Sequence, residues 1–247
     1  MAASTGSASG FSLQGASVTP RKAFFDASGG VRIAFRFAAP GPTDVTVRIA
    51  GKRGTVRAIQ LQRLRSGSEH ELRWDGLTSR GKAARDGRYR VLVGPSGGGA
   101  ALAGRVTLRG HRYPLRARHS FRGAVGRFGA PRNGGRVHRG FDVNAACGKP
   151  LLAVRGGTVI RRRHHRRLDG NFIIVKGFKE KRTYRYSHLR SPSPLRRGDR
   201  VRTGQRVGRV GRTGNARSTP CHLHFEIRRG KRWLNPEPRL RRWDRYS

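Results

Sequence analysis

The sequence predicts a mostly β protein, with an N-terminal antiparallel β-sandwich over residues 1–109 and a second β domain over residues 110–247. Three observations lead there. Apolar and polar residues alternate in short runs, turn-forming residues separate those runs, and no helical period appears between them.

In VRIAFRFA, residues 31–38, Val31, Ile33, Phe35 and Phe37 share one face while Arg32, Ala34 and Arg36 share the other, which describes a half-buried strand. The same period recurs in Val45, Val47 and Ile49, in Leu72 and Trp74, in Tyr89, Val91 and Val93, and from Leu102 to Leu108. PGPTD, RSGSE, DGLTSRGKAARDG and GPSGGGA supply the turns, and strands at this spacing suit a sandwich. At HRYPLRARHS, residues 111–120, the pattern changes to glycine-punctuated strands, so the boundary is placed near residue 110. The stretch RRRHHRRLDG, residues 161–170, reads as a solvated hairpin, with contact to a polyanion or wall polymer as its functional alternative. The glycines of GDRVRTGQRVGRVGRTGN, residues 198–215, superficially resemble a nucleotide loop. No strand-loop-helix unit contains them, and tight turns between strands explain them better.

A chain of 247 residues is long enough for two modest cores. Its formal net charge is +42, from 55 Lys and Arg against 13 acidic residues, and such an excess calls for salt or polyanions nearby. Nucleic acid, an anionic membrane or an anionic cell wall can supply them, and arginines on solvated surfaces are the bland alternative. Aromatic residues do not interleave with the basic runs as base-stacking platforms require, so nucleic acid is not expected as the main partner. No stretch reaches the roughly 18 apolar residues that a membrane-spanning helix needs. The opening MAASTGSASGFSLQG has neither a basic nor an apolar leader region and is not expected to be a signal peptide. Export information then lies outside this sequence, or the protein stays inside. Cys147 and Cys221 permit one disulfide, expected in a secreted protein, or two buried thiols. C-x-x-C is absent, which argues against a cysteine-rich zinc site.

Candidate chemistry is concentrated in three segments: HRGFD, residues 138–142; YSHL, residues 186–189; and HLHFE, residues 222–226. Strand alternation places His222 and His224 on one face, with Cys221, Leu223 and Phe225 on the other. By the same rule Tyr184, Tyr186 and His188 are expected on one face. Glu226 falls on the groove face, either as an outer partner of a histidine or in an arginine salt bridge. Imidazoles plus a carboxylate suit zinc, which takes such donors at about 2.0–2.2 Å, usually four in a tetrahedron. His70, His111, His119, His164 and His165 lack comparable surroundings, although His164 and His165 beside Asp169 can capture stray metal. H-E-x-x-H is absent, so its glutamate base is unavailable.

The H-x-x-x-D, Y-x-H-L and H-L-H-F-E segments resemble the lysostaphin- or LytM-type zinc metallopeptidases of family M23. The likeness runs in order from FGAPRNGGRVHRGFD through CGKPLLAVRGGTV, GNFIIVKG, YSHL, the 198–215 run and CHLHFEI to LNPEP. It implies an antiparallel β-groove of the duplicated hybrid motif type, ending in a short basic tail. It also implies one zinc ion held by His138, Asp142 and His224, flanked by His188 and His222 as catalytic residues. His222 is then the general base and His188 the oxyanion stabiliser, or the reverse. The implied reaction is hydrolysis of peptide bonds in bacterial peptidoglycan, in a secreted or wall-associated protein, with anionic wall polymers as a further partner. A non-catalytic wall-binding or hydrolase-activating module and a polyanion-binding protein are the alternatives. In the first domain Trp74-Asp75-Gly76, followed by GKAARDGRYRV, resembles the immunoglobulin-like domain of the flagellar hook-capping protein.

Overall fold

The structure, a computed structural model, describes residues 10–247. Residues 1–9, which hold most of the opening stretch read as lacking a leader, lie outside the described residues. The described chain divides into one compact unit of residues 29–110 with the segment before residue 26, and a second of residues 111–247 with Asp26–Ser28.

The first unit contains β1 (Ser12–Thr19), β2 (Lys22–Phe24), β3 (Val31–Ala38), β4 (Thr43–Gly51), β5 (Gly54–Leu64), β6 (Glu69–Trp74), β7 (Gly87–Pro95) and β8 (Ala101–Arg109). They form a sheet ordered β1-β3-β6 and another ordered β2-β8-β7-β4-β5. All pairs are antiparallel except β2 with β8. The alternating residues of β3, β4 and β7 are the buried ones, including Ile33, Phe37, Val47 and Val93. Sequence periodicity did not mark β1 and β5. Both are edge strands without a single buried residue, so the contrast between their faces is weak.

The second unit contains β9 (His119–Phe121), β10 (Pro131–Arg132), β11 (Arg136–Val137), β12 (Phe141–Ala145), β13 (Pro150–Leu152), β14 (Gly157–His165), β15 (Gly170–Gly177), β16 (Arg182–Leu189), β17 (Arg200–Val201), β18 (Arg206–Arg209), β19 (His222–Arg229), β20 (Arg232–Leu234) and the helix α1 (Glu237–Asp244). Its main sheet has the order β17-β14-β15-β16-β19-β12-β9, with β20 paired to β19. One face buries Phe141, Val143, Tyr184, Tyr186, Leu223, Phe225 and Ile227. The basic C-terminal stretch carries α1, whose Leu240 and Trp243 pack into this core. Cys147 and Cys221 are disulfide-bonded, fastening the chain directly before β19. Residues 160–167, along β14 and into its hairpin with β15, are exposed, whereas Leu168 and Asp169 at the tip are half-buried.

Candidate metal centre and groove

β19 lies between β12 and β16 in the sheet. Asp142 on β12 pairs directly opposite His224 on β19, and His224 pairs in turn with Ser187 on β16. Directly opposed residues in such a pair hold their Cβ atoms about 5 Å apart, so the ladder brings the carboxylate to the imidazole before any side chain turns. His138 enters from the end of β11, four residues before Asp142. Between them Gly140 passes so close to His224 that an added Cβ would lie 2.6 Å from its Cε1.

The three donors converge tightly. Nε2 of His138 lies 2.8 Å from Nδ1 of His224 and 3.1 Å from Oδ1 of Asp142, and the same oxygen is 2.9 Å from Nδ1 of His224. The far nitrogen of each ring is occupied: Nδ1–H of His138 donates to the Arg127 carbonyl at 2.8 Å, and Nε2–H of His224 donates to Glu226 at 3.0 Å. Those partners take one N–H of each ring and turn the other nitrogen toward Asp142. Two imidazole nitrogens and a carboxylate oxygen, all buried and mutually adjacent, make a donor set that fits zinc. His138, Asp142 and His224 form the one such group among the described residues.

Burial works against the charge of Asp142, but hydrogen bonds from His138 and His224, and their charge, outweigh it and keep the carboxyl well below the usual range. Burial also opposes charge on His224, yet hydrogen bonds to Asp142 and Glu226 push it up to about 9. His188 moves the other way: burial, with His224 and His222 nearby, takes it down to about 3. Burial lowers His222 as well, despite Asp142 and the Pro220 carbonyl.

His188 and His222 stand beside the triad, their ring centres 4.9 Å apart, and His188 is 5.8 Å from His224. Nδ1–H of His188 donates to the Thr213 carbonyl at 2.8 Å and that of His222 to the Pro220 carbonyl at 2.9 Å, so each keeps an Nε2 lone pair. The alternation expected for Tyr184, Tyr186 and His188 is corrected here. The tyrosines face the core, whereas His188 lines the groove. Its φ of 59° is left-handed rather than extended, so strand alternation is broken at that residue. In β19 alternation does hold, with His222, His224 and Glu226 lining the groove and Leu223 and Phe225 in the core.

Among the expected alternatives for Glu226, the structure places its carboxylate on His224. Asp169 pairs with Arg185, and His164 binds Asn171 at 2.9 Å. Sequence reasoning missed Arg122. Its Nη1 lies 3.2 Å from Nδ1 and 3.4 Å from Nε2 of His222, and it comes from a segment without any motif. His138, Asp142 and His224, with His188, His222 and Arg122, line a cavity of about 540 Å³.

Residues 136–236 match the model of peptidase family M23, and residues 22–99 match that of the FlgD Ig-like domain. A lipoprotein NlpD/LppB homolog of Pseudomonas aeruginosa is 32% identical over 61% of this chain and 42% of its own length. The L-Ala--D-Glu endopeptidase of Bacillus subtilis is 31% identical over 58% of this chain and 47% of its own length. The chain thus spans less than half the length of these curated relatives. Among solved structures, the catalytic domain of lysostaphin from Staphylococcus simulans is 27% identical, with a TM-score of 0.43, over 51% of this chain and 92% of that one.

Proposed function

We propose that this protein, whose residues 136–236 match the model of peptidase family M23, is a zinc endopeptidase that hydrolyses peptide bonds in bacterial peptidoglycan. The observation that carries the proposal is the convergence of His138 Nε2, His224 Nδ1 and Asp142 Oδ1, each within 3.1 Å of the others. Zinc, when bound there, supplies a Lewis acid that polarises a carbonyl and acidifies water.

Around that centre each side chain has a distinct task. His138, Asp142 and His224 are the ligands, with the Arg127 carbonyl and Glu226 holding the two rings in orientation. His222 is the general base: its Nε2 lone pair faces the groove because Nδ1–H is tied to Pro220. After taking a proton from water, the same Nε2–H can pass it to the leaving amine. His188 has the same disposition through Thr213, so it becomes a donor to developing negative charge only once protonated. Arg122, already cationic and touching His222, supplies a standing donor on that side.

Placement at the cell wall, outside the cytoplasm, is supported by the Cys147–Cys221 disulfide, which suits an oxidising compartment. The charge of +42 supports anionic wall polymers as an additional partner. No helix among the described residues is long and apolar enough to cross a membrane. The immunoglobulin-like residues 22–99 serve as a spacer or binding module.

The test is digestion of purified peptidoglycan with and without a chelator. Muropeptides that appear only when metal is present support the proposal, and identical profiles defeat it. The second reading, a non-catalytic activating or wall-binding module, is favoured if protein purified without chelator contains no zinc and takes none up.

A further inference from the structure

The groove carries far more fixed positive charge than its own carboxylates can balance. Three acidic residues line the cavity, and all are committed: Asp142 to His138 and His224, Asp169 to Arg185, and Glu226 to His224. Arg122, Arg132 and Arg136 line the same cavity with no carboxylate partner among the described residues. These side chains are positioned rather than loose. Arg132 donates to the carbonyls of Pro131 at 3.1 Å and Val125 at 2.7 Å, and Arg136 donates to that of Asn133 at 3.2 Å.

A second cavity, of about 250 Å³, adjoins the first and shares Arg185 and Glu226 with it. Ile160, Ile174 and Trp233 give it an apolar lining, and Arg161 and Arg228 line it as well. Trp233 fixes a guanidinium for each cavity, with Arg139 at 4.2 Å and Arg228 at 4.9 Å from its ring centre. The two cavities meet at Arg185 and Glu226 as one trough, and arginines line both parts.

We propose that this trough selects peptides carrying free carboxylates beside the scissile bond, and discriminates against the same peptides with those carboxylates amidated. The inference rests on the endopeptidase reading for the bond that is cut, but its chemistry is that of the arginine lining alone. A free carboxylate accepts charge-assisted, often bidentate, hydrogen bonds from guanidinium, whereas a primary amide offers one neutral acceptor and two donors that face cations. An uncharged peptide would also leave Arg122, Arg132 and Arg136 without a counter-charge once water is displaced.

The experiment compares cross-linked stem peptides that differ only in free or amidated carboxylates, using the full zinc-supplemented chain. The expected kcat/KM ratio of acidic to amidated peptide is about tenfold or more, the scale of a charged hydrogen bond. Arg132→Gln and Arg228→Gln should each move that ratio toward one, and Arg132→Lys should restore part of it. Arg90→Gln, which removes the same charge from an exposed site on the first unit, should leave it in place. Equal or reversed preference overturns the proposal, as does an R132Q or R228Q ratio no different from that of R90Q. If neither peptide is cut, calorimetric binding decides. Tighter binding of the acidic peptide sustains the selectivity while the endopeptidase reading falls, and equal binding overturns it.

Discussion

Nε2 of His224 donates a hydrogen bond to Glu226 across 3.0 Å, between side chains two residues apart on the same strand. Strand geometry makes the pairing possible, because residues i and i+2 share a face. Its consequence is that Nδ1 of His224, rather than Nε2, is directed at Asp142.

Removing the carboxylate in Glu226→Ala frees the ring to rotate and withdraws the acceptor that fixes its tautomer. Zinc affinity, measured by competition with a chromogenic chelator, should fall by about 10- to 100-fold. Glu226→Gln should lose less, since an amide oxygen still accepts the hydrogen bond. Unchanged affinity in both variants would show that Glu226 does not orient the ligand.

The pKa pattern gives zinc uptake a definite pH dependence. In chelator-stripped protein His224 sits at about 9, so below that value a metal must displace its proton. Affinity should therefore rise with pH up to about 9 and level off beyond it. The signs for stability of the stripped protein follow separately. Asp142, lowered from 3.8, contributes stability that is present above that pH and lost in stronger acid. His224, raised from 6.5 to about 9, contributes stability that is full below 6.5 and lost as pH climbs through about 9. Thermal unfolding of the stripped protein should thus be optimal between 3.8 and 6.5 as far as this pair is concerned. Zinc affinity independent of pH across this range would contradict the proton competition.

Gly140 offers a steric test of the same centre. A Cβ there would lie 2.6 Å from Cε1 and 2.7 Å from Nε2 of His224, with the Phe225 carbonyl oxygen also at 2.7 Å. Backbone and a ring wedged between Asp142 and Glu226 cannot give way cheaply, so Gly140→Ala should destabilise the domain by about 1–3 kcal/mol. Bound zinc, measured by elemental analysis, should fall with it. Full zinc content with unchanged melting would show that the close approach relaxes without cost.

His222 and the ligands should separate kinetically. His222→Ala is expected to keep its zinc while losing about 10²- to 10⁴-fold in kcat, the range for a general base. His138→Ala should lose both metal and activity. Near-normal turnover in H222A would transfer the base role to His188, whose Nδ1–H is likewise tied to a backbone carbonyl.

Local period and short motifs carried much of the information in the sequence. Alternation in CHLHFEI settles which side chains of β19 meet the groove and which meet the core, because a strand repeats every two residues whatever surrounds it. The strands of the first unit with strongly buried faces were legible for the same reason, and the edge strands β1 and β5, with none, were not. Tertiary structure decided what no local pattern encodes. It set the register that puts Asp142 opposite His224, and the φ of 59° that turns His188 away from the tyrosines of its own strand. It also brought Arg122 to His222 across 100 positions of sequence. Faces of a strand are a property of consecutive residues, whereas register, a left-handed kink and a contact at long separation depend on how distant segments pack. For that reason strand faces were legible in the chain, and the family resemblance named the three converging donors, whereas their register and the contacts around them came only from the fold.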